Sequence, residues 1–98
     1  MGRCGRLENT MNFKKLERIA KGFANHRRLA ILDLLHSQPE LSVDEIASSL
    51  NGNFKTASEH IRRLAQAGLV LKRYEGNFVR HKVSPQGLSI LKFLRILE

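Results

Sequence analysis

The 98-residue sequence is short of several things, and each shortage excludes something. Its single cysteine, Cys4, cannot close an internal disulfide, and a zinc site normally draws on several Cys or His ligands. It has no tryptophan and only one tyrosine, so the exposed aromatic platforms of an RNA-binding surface are not expected. Two prolines, no internal repeat and no low-complexity run speak for a packed core rather than disorder. No apolar stretch approaches the roughly 20 residues of a membrane span. The opening Met1–Arg6 lacks the apolar core of a secretory signal, and Arg6 stands where a myristoylation motif wants Ser or Thr. An intracellular, cytoplasmic protein is the resulting expectation. Acidic residues are also scarce, 9 against 17 Lys and Arg, leaving a formal net charge of +8. A domain this basic attracts polyanions, of which nucleic acid is the commonest.

What is present is a set of short amphipathic segments in one domain. Residues 1–11 lack periodicity and are expected to form a flexible leader, with the folded domain over 12–98. Asn12 can cap a first helix whose apolar side is Phe13, Leu16, Ile19, Ala20 and Phe23. Asn25 can cap a second, His26–Leu35, with Leu29, Ile31, Leu32, Leu34 and Leu35 around most of its circumference, the mark of a helix buried from several sides. A loop follows at Ser37–Glu40, since Pro39 disfavours helix before it. Ser42 and Glu45 have the spacing of a capping box, and Val43, Ile46, Ala47 and Leu50 give the third helix its apolar stripe. A tight turn, Leu50-Asn51-Gly52-Asn53, leads to a fourth helix ending at Gly68.

That fourth helix, Asn53–Ala67, organises the rest. Phe54, Ala57, Ile61, Leu64 and Ala65 form its back, and Lys55, Thr56, Glu59, Arg62, Arg63 and Gln66 its front. Helix, short turn and polar-fronted helix make a helix-turn-helix plan. Lys55, Thr56, Ser58, Glu59, Arg62 and Arg63 are therefore candidates for contact with double-stranded DNA, where Arg can pair bidentately with guanine. Glu59 fits either acceptance from a cytosine amine or pairing with Arg62 or Arg63. His60 fits either a phosphate contact or a structural hydrogen bond, and Arg28 either an intramolecular or a phosphate-anchoring role. His26, His36 and His81 are unclustered and expected at the surface or in the hairpin.

From Leu69 the period becomes two. Leu69–Tyr74 and Phe78–Val83 read as strands joined by a three-residue loop, Glu75-Gly76-Asn77. Lys72, Arg73, Arg80 and Lys82 make this hairpin a basic wing able to follow phosphates, and Tyr74 with Phe78 is expected to form a cross-strand aromatic pair. Ser84 and Pro85 open a last helix that is apolar on more than one face. Phe13 and Leu16, with Leu88, Leu91, Leu94 and Leu97, are the expected dimer surface. There is no nucleophile elbow, phosphate-cradling glycine loop or zincin motif, and Asp33 and Glu45 have no partner for paired-acid catalysis. An enzyme is not expected.

Three segments together resemble the ArsR-type winged helix-turn-helix repressors over about residues 13–97. They are Phe23-Ala24-Asn25-His26-Arg27-Arg28-Leu29-Ala30-Ile31-Leu32, then Glu40–Ala47, then Thr56-Ala57-Ser58-Glu59-His60-Ile61 continuing through Leu64-Ala65-Gln66-Ala67-Gly68-Leu69-Val70. The resemblance implies a homodimer on a two-fold symmetric operator, often released by a metal ion or redox signal. Both familiar metal sites are missing. Ser42-Val43-Asp44 replaces the Cys-Val-Cys of the third helix, and residues 85–97 hold no histidine or acid. No metal or cofactor is expected, and any effector is left unidentified. The expected fold is mainly α with a small β-hairpin, in the order α-α-α-α-β-β-α. The rival function is a winged-helix interaction adaptor that does not touch DNA.

Overall fold

Each helix begins at a side chain that satisfies its own first-turn amides. The computed structural model describes residues 11–98, and in it α1 (Phe13–Phe23), α2 (His26–Ser37) and α4 (Phe54–Gln66) are capped by Asn12, Asn25 and Asn53. The Asn53 Oδ1 accepts from the Thr56 amide at 2.8 Å. In α3 (Val43–Ser49) the capping box closes both ways, Glu45 N–H on Ser42 Oγ at 3.3 Å and Ser42 N–H on the Glu45 carboxylate at 2.8 Å. Ser84 caps α5 (Pro85–Leu97), with Pro85 at the first helical position. The expected leader lies, Met11 apart, outside the described residues, and so does Cys4.

The helix-turn-helix is fixed at both ends. Asn51 takes φ +55°, and the Gly52 amide returns to Ala47 O at 2.9 Å. At the far end of α4, Gly68 takes φ +78°; its amide bonds Ala65 O and that of Leu69 bonds Leu64 O, each at 3.0 Å. That pair of bonds is a Schellman stop, and its apolar partners, Leu64 and Leu69, are both fully buried. The core they join comes from Ile31, Leu32 and Leu35 of α2, Ile46 of α3, Ile61 of α4 and Leu91 of α5. As its pattern implied, α2 is buried from several sides, by β2, α4 and α5, while α4 is the helix that also packs on α1, α3 and β1.

The antiparallel hairpin β1 (Val70–Glu75) and β2 (Phe78–Val83) is one residue tighter than its sequence suggested. Glu75 pairs with Phe78, so the loop is only Gly76-Asn77, with Gly76 at φ +60°. This register puts Tyr74 opposite Val79 and on the other face from Phe78. The expected aromatic pair does not form, because side chains alternate faces along a strand. β2 also gains a second neighbour. Leu41 bridges to His81, whose amide bonds Leu41 O at 3.0 Å while Glu40 N–H bonds His81 O at 2.8 Å. His81 is 1% exposed, not a surface residue, and its Nδ1 lies 2.8 Å from Leu41 O. A carbonyl only accepts, so Nδ1 carries the proton. Burial lowers the imidazole pKa, with the Lys72 charge adding to that and the Leu41 bond opposing it.

Among the described residues no helix is long and apolar enough to cross a membrane.

Candidate nucleic-acid interface

α4 buries Ala57, Ile61 and Leu64 and turns Lys55, Thr56, Glu59, Arg62, Arg63 and Gln66 to solvent. The division follows from its 3.6-residue period. The front is ordered by a carboxylate. Glu59 Oε2 accepts from Arg62 Nη2 at 2.7 Å and from Arg63 Nε at 3.0 Å, and Oε1 accepts from Arg62 Nε at 3.2 Å. In the free chain Glu59 thus pairs with both arginines, and the hydrogen bonds from Arg62 and then Arg63 hold its carboxyl below the usual range. Lys55 has no ion-pair partner among the described residues. Ser58 is half-buried at the edge of the face.

His60 makes a structural hydrogen bond, one of the two roles its position allowed. Its Nδ1 accepts from Arg28 Nε at 3.1 Å, so the ring is neutral with its proton on Nε2. Burial, then the neighbouring Arg28 and Arg27, lower its pKa. Arg28 also donates through Nη1 to Lys21 O at 3.0 Å and Gly22 O at 3.2 Å. One guanidinium therefore ties the end of α1 to α4 across the start of α2, which gives Arg28 an intramolecular role. Gly22 is required at this junction, since a Cβ there would collide with the Ala67 side chain. Two open grooves flank α4. One of about 370 Å³ runs between the starts of α2 and α4, with His26, Arg27, Asn53 and Thr56 on its walls. The other, about 430 Å³, faces α1 and gathers Lys15, Arg18 and Lys21 with Arg63. These α1 and α2 cations were not candidates from sequence, because only the packing of three helices brings them beside α4.

The wing divides its four cations. Lys72 and Lys82 are exposed, on opposite faces of the hairpin. Arg73 and Arg80 stand directly opposite each other, and carboxylates offset their repulsion. Arg73 Nε donates to Glu40 at 3.0 Å, and Arg73 Nη1 lies 3.6 Å from Glu75. Arg80 Nε donates to Glu75 at 3.3 Å, its Nη1 lies 3.6 Å from Glu45, and its Cζ sits 5.4 Å from the Phe78 ring centroid. These contacts leave only 28% of the Arg80 side chain exposed, against 55% for Arg73. Glu40, the residue sequence reasoning missed, sits at φ +68° in a segment read as a plain loop. No local spacing links it to Arg73, 33 residues away.

A second surface is apolar. Phe13 and Leu16 of α1 stay exposed, as do Phe93, Ile96 and Leu97 of α5. Leu91, expected here, is instead 9% exposed and packed in the chain's own core, while Leu88 and Leu94 are partly buried. The helix turns Leu91 inward with Gly87, whose missing side chain lets α5 close on Leu69 O. Phe93 and Ile96 take the outward positions. Among the described residues no three His, Cys, Asp or Glu side chains cluster as metal ligands would.

A protein-family model described as a helix-turn-helix domain matches residues 23–73. An HTH-type transcriptional regulator of Mycobacterium tuberculosis is 38% identical over 77 residues, 79% of this chain and 34% of that protein. The arsenical resistance operon repressor of Escherichia coli is 32% identical over 75 residues, 76% of this chain and 64% of the repressor. The chain thus spans about a third of the first relative and under two thirds of the second. The solution structure of a Mycobacterium bovis homodimeric winged helix-turn-helix DNA-binding domain, from a possible ArsR-family regulator, superimposes with a TM-score of 0.78. It is 32% identical, and the match covers 99% of this chain and 88% of that one.

Proposed function

Because this chain belongs to the ArsR-type winged helix-turn-helix family, we propose that it is a sequence-specific DNA-binding transcriptional regulator, a repressor that occupies a two-fold symmetric operator as a homodimer. The observation that carries this reading is the solvent-facing front of α4. Lys55, Thr56, Arg62 and Arg63 stand clear of the protein on a helix whose back is buried. Such a rod enters the major groove, where arginine edges match guanine O6 and N7 and hydroxyls reach bases or phosphates. Lys72 and Lys82 of the wing, with Arg73, follow the flanking backbone. The bare faces of α1 and α5 supply the dimer contact, now with Phe93 and Ile96 beside Phe13, Leu16 and Leu97. Pairing there would set the two recognition helices about one helical turn of DNA, roughly 34 Å, apart. Bound in this way the dimer represses, the role that the Escherichia coli relative's name gives it.

The test is duplex binding by fluorescence anisotropy over a range of salt. Replacing Arg62 and Arg63 together by Ala should reduce the log–log salt slope by about 0.9 for each phosphate that is no longer neutralised, and weaken binding to a duplex selected from a random pool. Thermal stability should scarcely change, since both side chains are exposed. Equal affinity of wild type and double variant would overturn the reading. Failure of the wild type to bind any duplex at low salt would favour the adaptor function instead.

A further inference from the structure

Glu59 is the only acidic residue in α4, placed in the middle of the surface that must approach a polyanion. Its hydrogen bonds involve both carboxylate oxygens, yet on the arginine side they leave particular atoms free. Arg62 is held through Nε and Nη2, and Arg63 through Nε alone. Arg62 Nη1 and both terminal nitrogens of Arg63 have no partner among the described residues. An exposed ion pair within one helix adds little to fold stability. These hydrogen bonds are therefore poorly explained as a fold device. As a binding device they do two things together. The formal charge of the trio falls from two positive to one, which weakens the sequence-independent attraction to phosphates. Each guanidinium also loses freedom to rotate, and presents its unoccupied donors outward, which favours the geometry-dependent contact with a guanine edge.

We propose that Glu59 is the specificity-determining residue of this surface, withholding charge from the phosphate backbone while aiming Arg62 and Arg63 at base edges. The inference rests on the reading that α4 binds DNA. On a correct site the aimed arginines meet guanine. On any other sequence the aimed donors find no guanine edge, and the carboxylate reduces what the two arginines gain from phosphates.

The experiment compares wild type, Glu59→Gln and, as a charge control outside α4, Glu17→Gln, whose carboxylate pairs with Lys21 on α1. Anisotropy titrations use the duplex that the wild type selects from a random pool and a scrambled duplex of equal length, across a salt series. Glu59→Gln should steepen the slope on the scrambled duplex by about 0.9, tightening that complex about eightfold at 0.1 M salt. The selected duplex should gain less or weaken, so the ratio of the two affinities falls by about threefold or more, while Glu17→Gln moves both duplexes alike. Glu59→Ala, which cannot hydrogen-bond the arginines at all, should lower the ratio at least as far. A smaller fall, an unchanged ratio or an increase for Glu59→Gln overturns the proposal, as does an equal fall for Glu17→Gln. A wild type that binds neither duplex defeats the DNA-binding reading, one that binds both equally defeats its sequence specificity, and either takes this inference with it. The wild-type curves alone reveal that case.

Discussion

The recognition helix and the wing carry almost the same cations but hold them differently. On α4 the partner of Arg62 and Arg63 lies three and four residues back on the same helix. In the wing the partners of Arg73 and Arg80 include Glu40 and Glu45, which come from the loop before α3 and from α3 itself. In both places the arginines are paired and the lysines, Lys55, Lys72 and Lys82, are not among the ion pairs found. A guanidinium has five donors in a rigid fork, and one or two can engage a carboxylate while others stay available; an ammonium is a single hydrated point. The difference between the regions is therefore one of reach. Pairing on α4 stays within one helix, whereas pairing in the wing links the hairpin to the loop before α3 and to α3 itself. The charge counted along a sequence is not the charge presented to a partner.

The largest way to break this comparison is to remove the footing of α4. Leu64 is fully buried in the core and also forms the apolar side of the Schellman stop. Leu64→Ala should cost about 2–5 kcal/mol in urea unfolding, through forfeited transfer energy and the cavity left behind. Leu71→Ala in the half-exposed part of the wing should cost less than about 0.5 kcal/mol. Similar losses at both sites would mean that the wing is as deeply rooted as the helix, and the contrast would fail. Next in size is Arg28. Its bonds to His60, Lys21 O and Gly22 O join three helices, and Lys cannot reproduce that fork. Arg28→Lys should lower stability by about 1.5–3 kcal/mol, the range for hydrogen bonds to a charged group, and an unchanged denaturation midpoint would return Arg28 to the list of phosphate anchors.

Most of the α-helical frame was legible because its signals are local. All five cap residues, the capping box and the Gly68 stop depend on neighbours within a few residues, and each formed as read; the apolar backs of α3 and α4 formed too, except at Leu50 and Phe54, which stay 38% and 53% exposed. Illegible features were those decided by packing between distant segments. The bridge of Leu41 to His81 buried a histidine that its own strand gave no reason to bury. The rotational setting of α5, fixed by the approach of Gly87 to Leu69 O, turned Leu91 inward and Phe93 outward. On the candidate interface, the membership of α4 was readable from periodicity. The state of its charges was readable only for the pairs within one helix.

Acid titration gives a subtler comparison, because each region contains one buried or half-buried neutral histidine. Burial lowers the pKa of His60 and of His81 below the ordinary value of 6.5. The unfolded chain therefore takes up protons before the folded one as pH drops below 6.5. Stability contributed by the neutral rings is full above that value and is lost as pH falls through the lowered folded pKa values. Urea midpoints should accordingly be flat above about pH 7 and decline towards about pH 5. His81→Asn, whose amide can still donate to Leu41 O, should flatten the part of that slope that comes from the wing. A profile identical to wild type would place the whole effect on the α4 side, at His60.

The smallest effect tests how the wing arginine is held, and its sign can be argued in advance. Glu40 sits at φ +68°, where an L-residue with a Cβ is disfavoured by about 1–2 kcal/mol and glycine is not. The same residue supplies the carboxylate for Arg73, an exposed pair of small worth to the fold. Glu40→Gly relieves the backbone and removes the pair together; it also makes the unfolded chain freer, so these opposing terms leave stability close to wild type. Glu40→Ala removes the pair without relieving the backbone and should be the less stable of the two by about 1 kcal/mol. Both substitutions release Arg73, so both should steepen the salt dependence of duplex binding by up to about 0.9 in the log–log slope. If stability separates the two variants while the slope stays at the wild-type value in each, Arg73 lies away from the phosphates. The free lysines Lys72 and Lys82 would then be the wing's only cationic contacts.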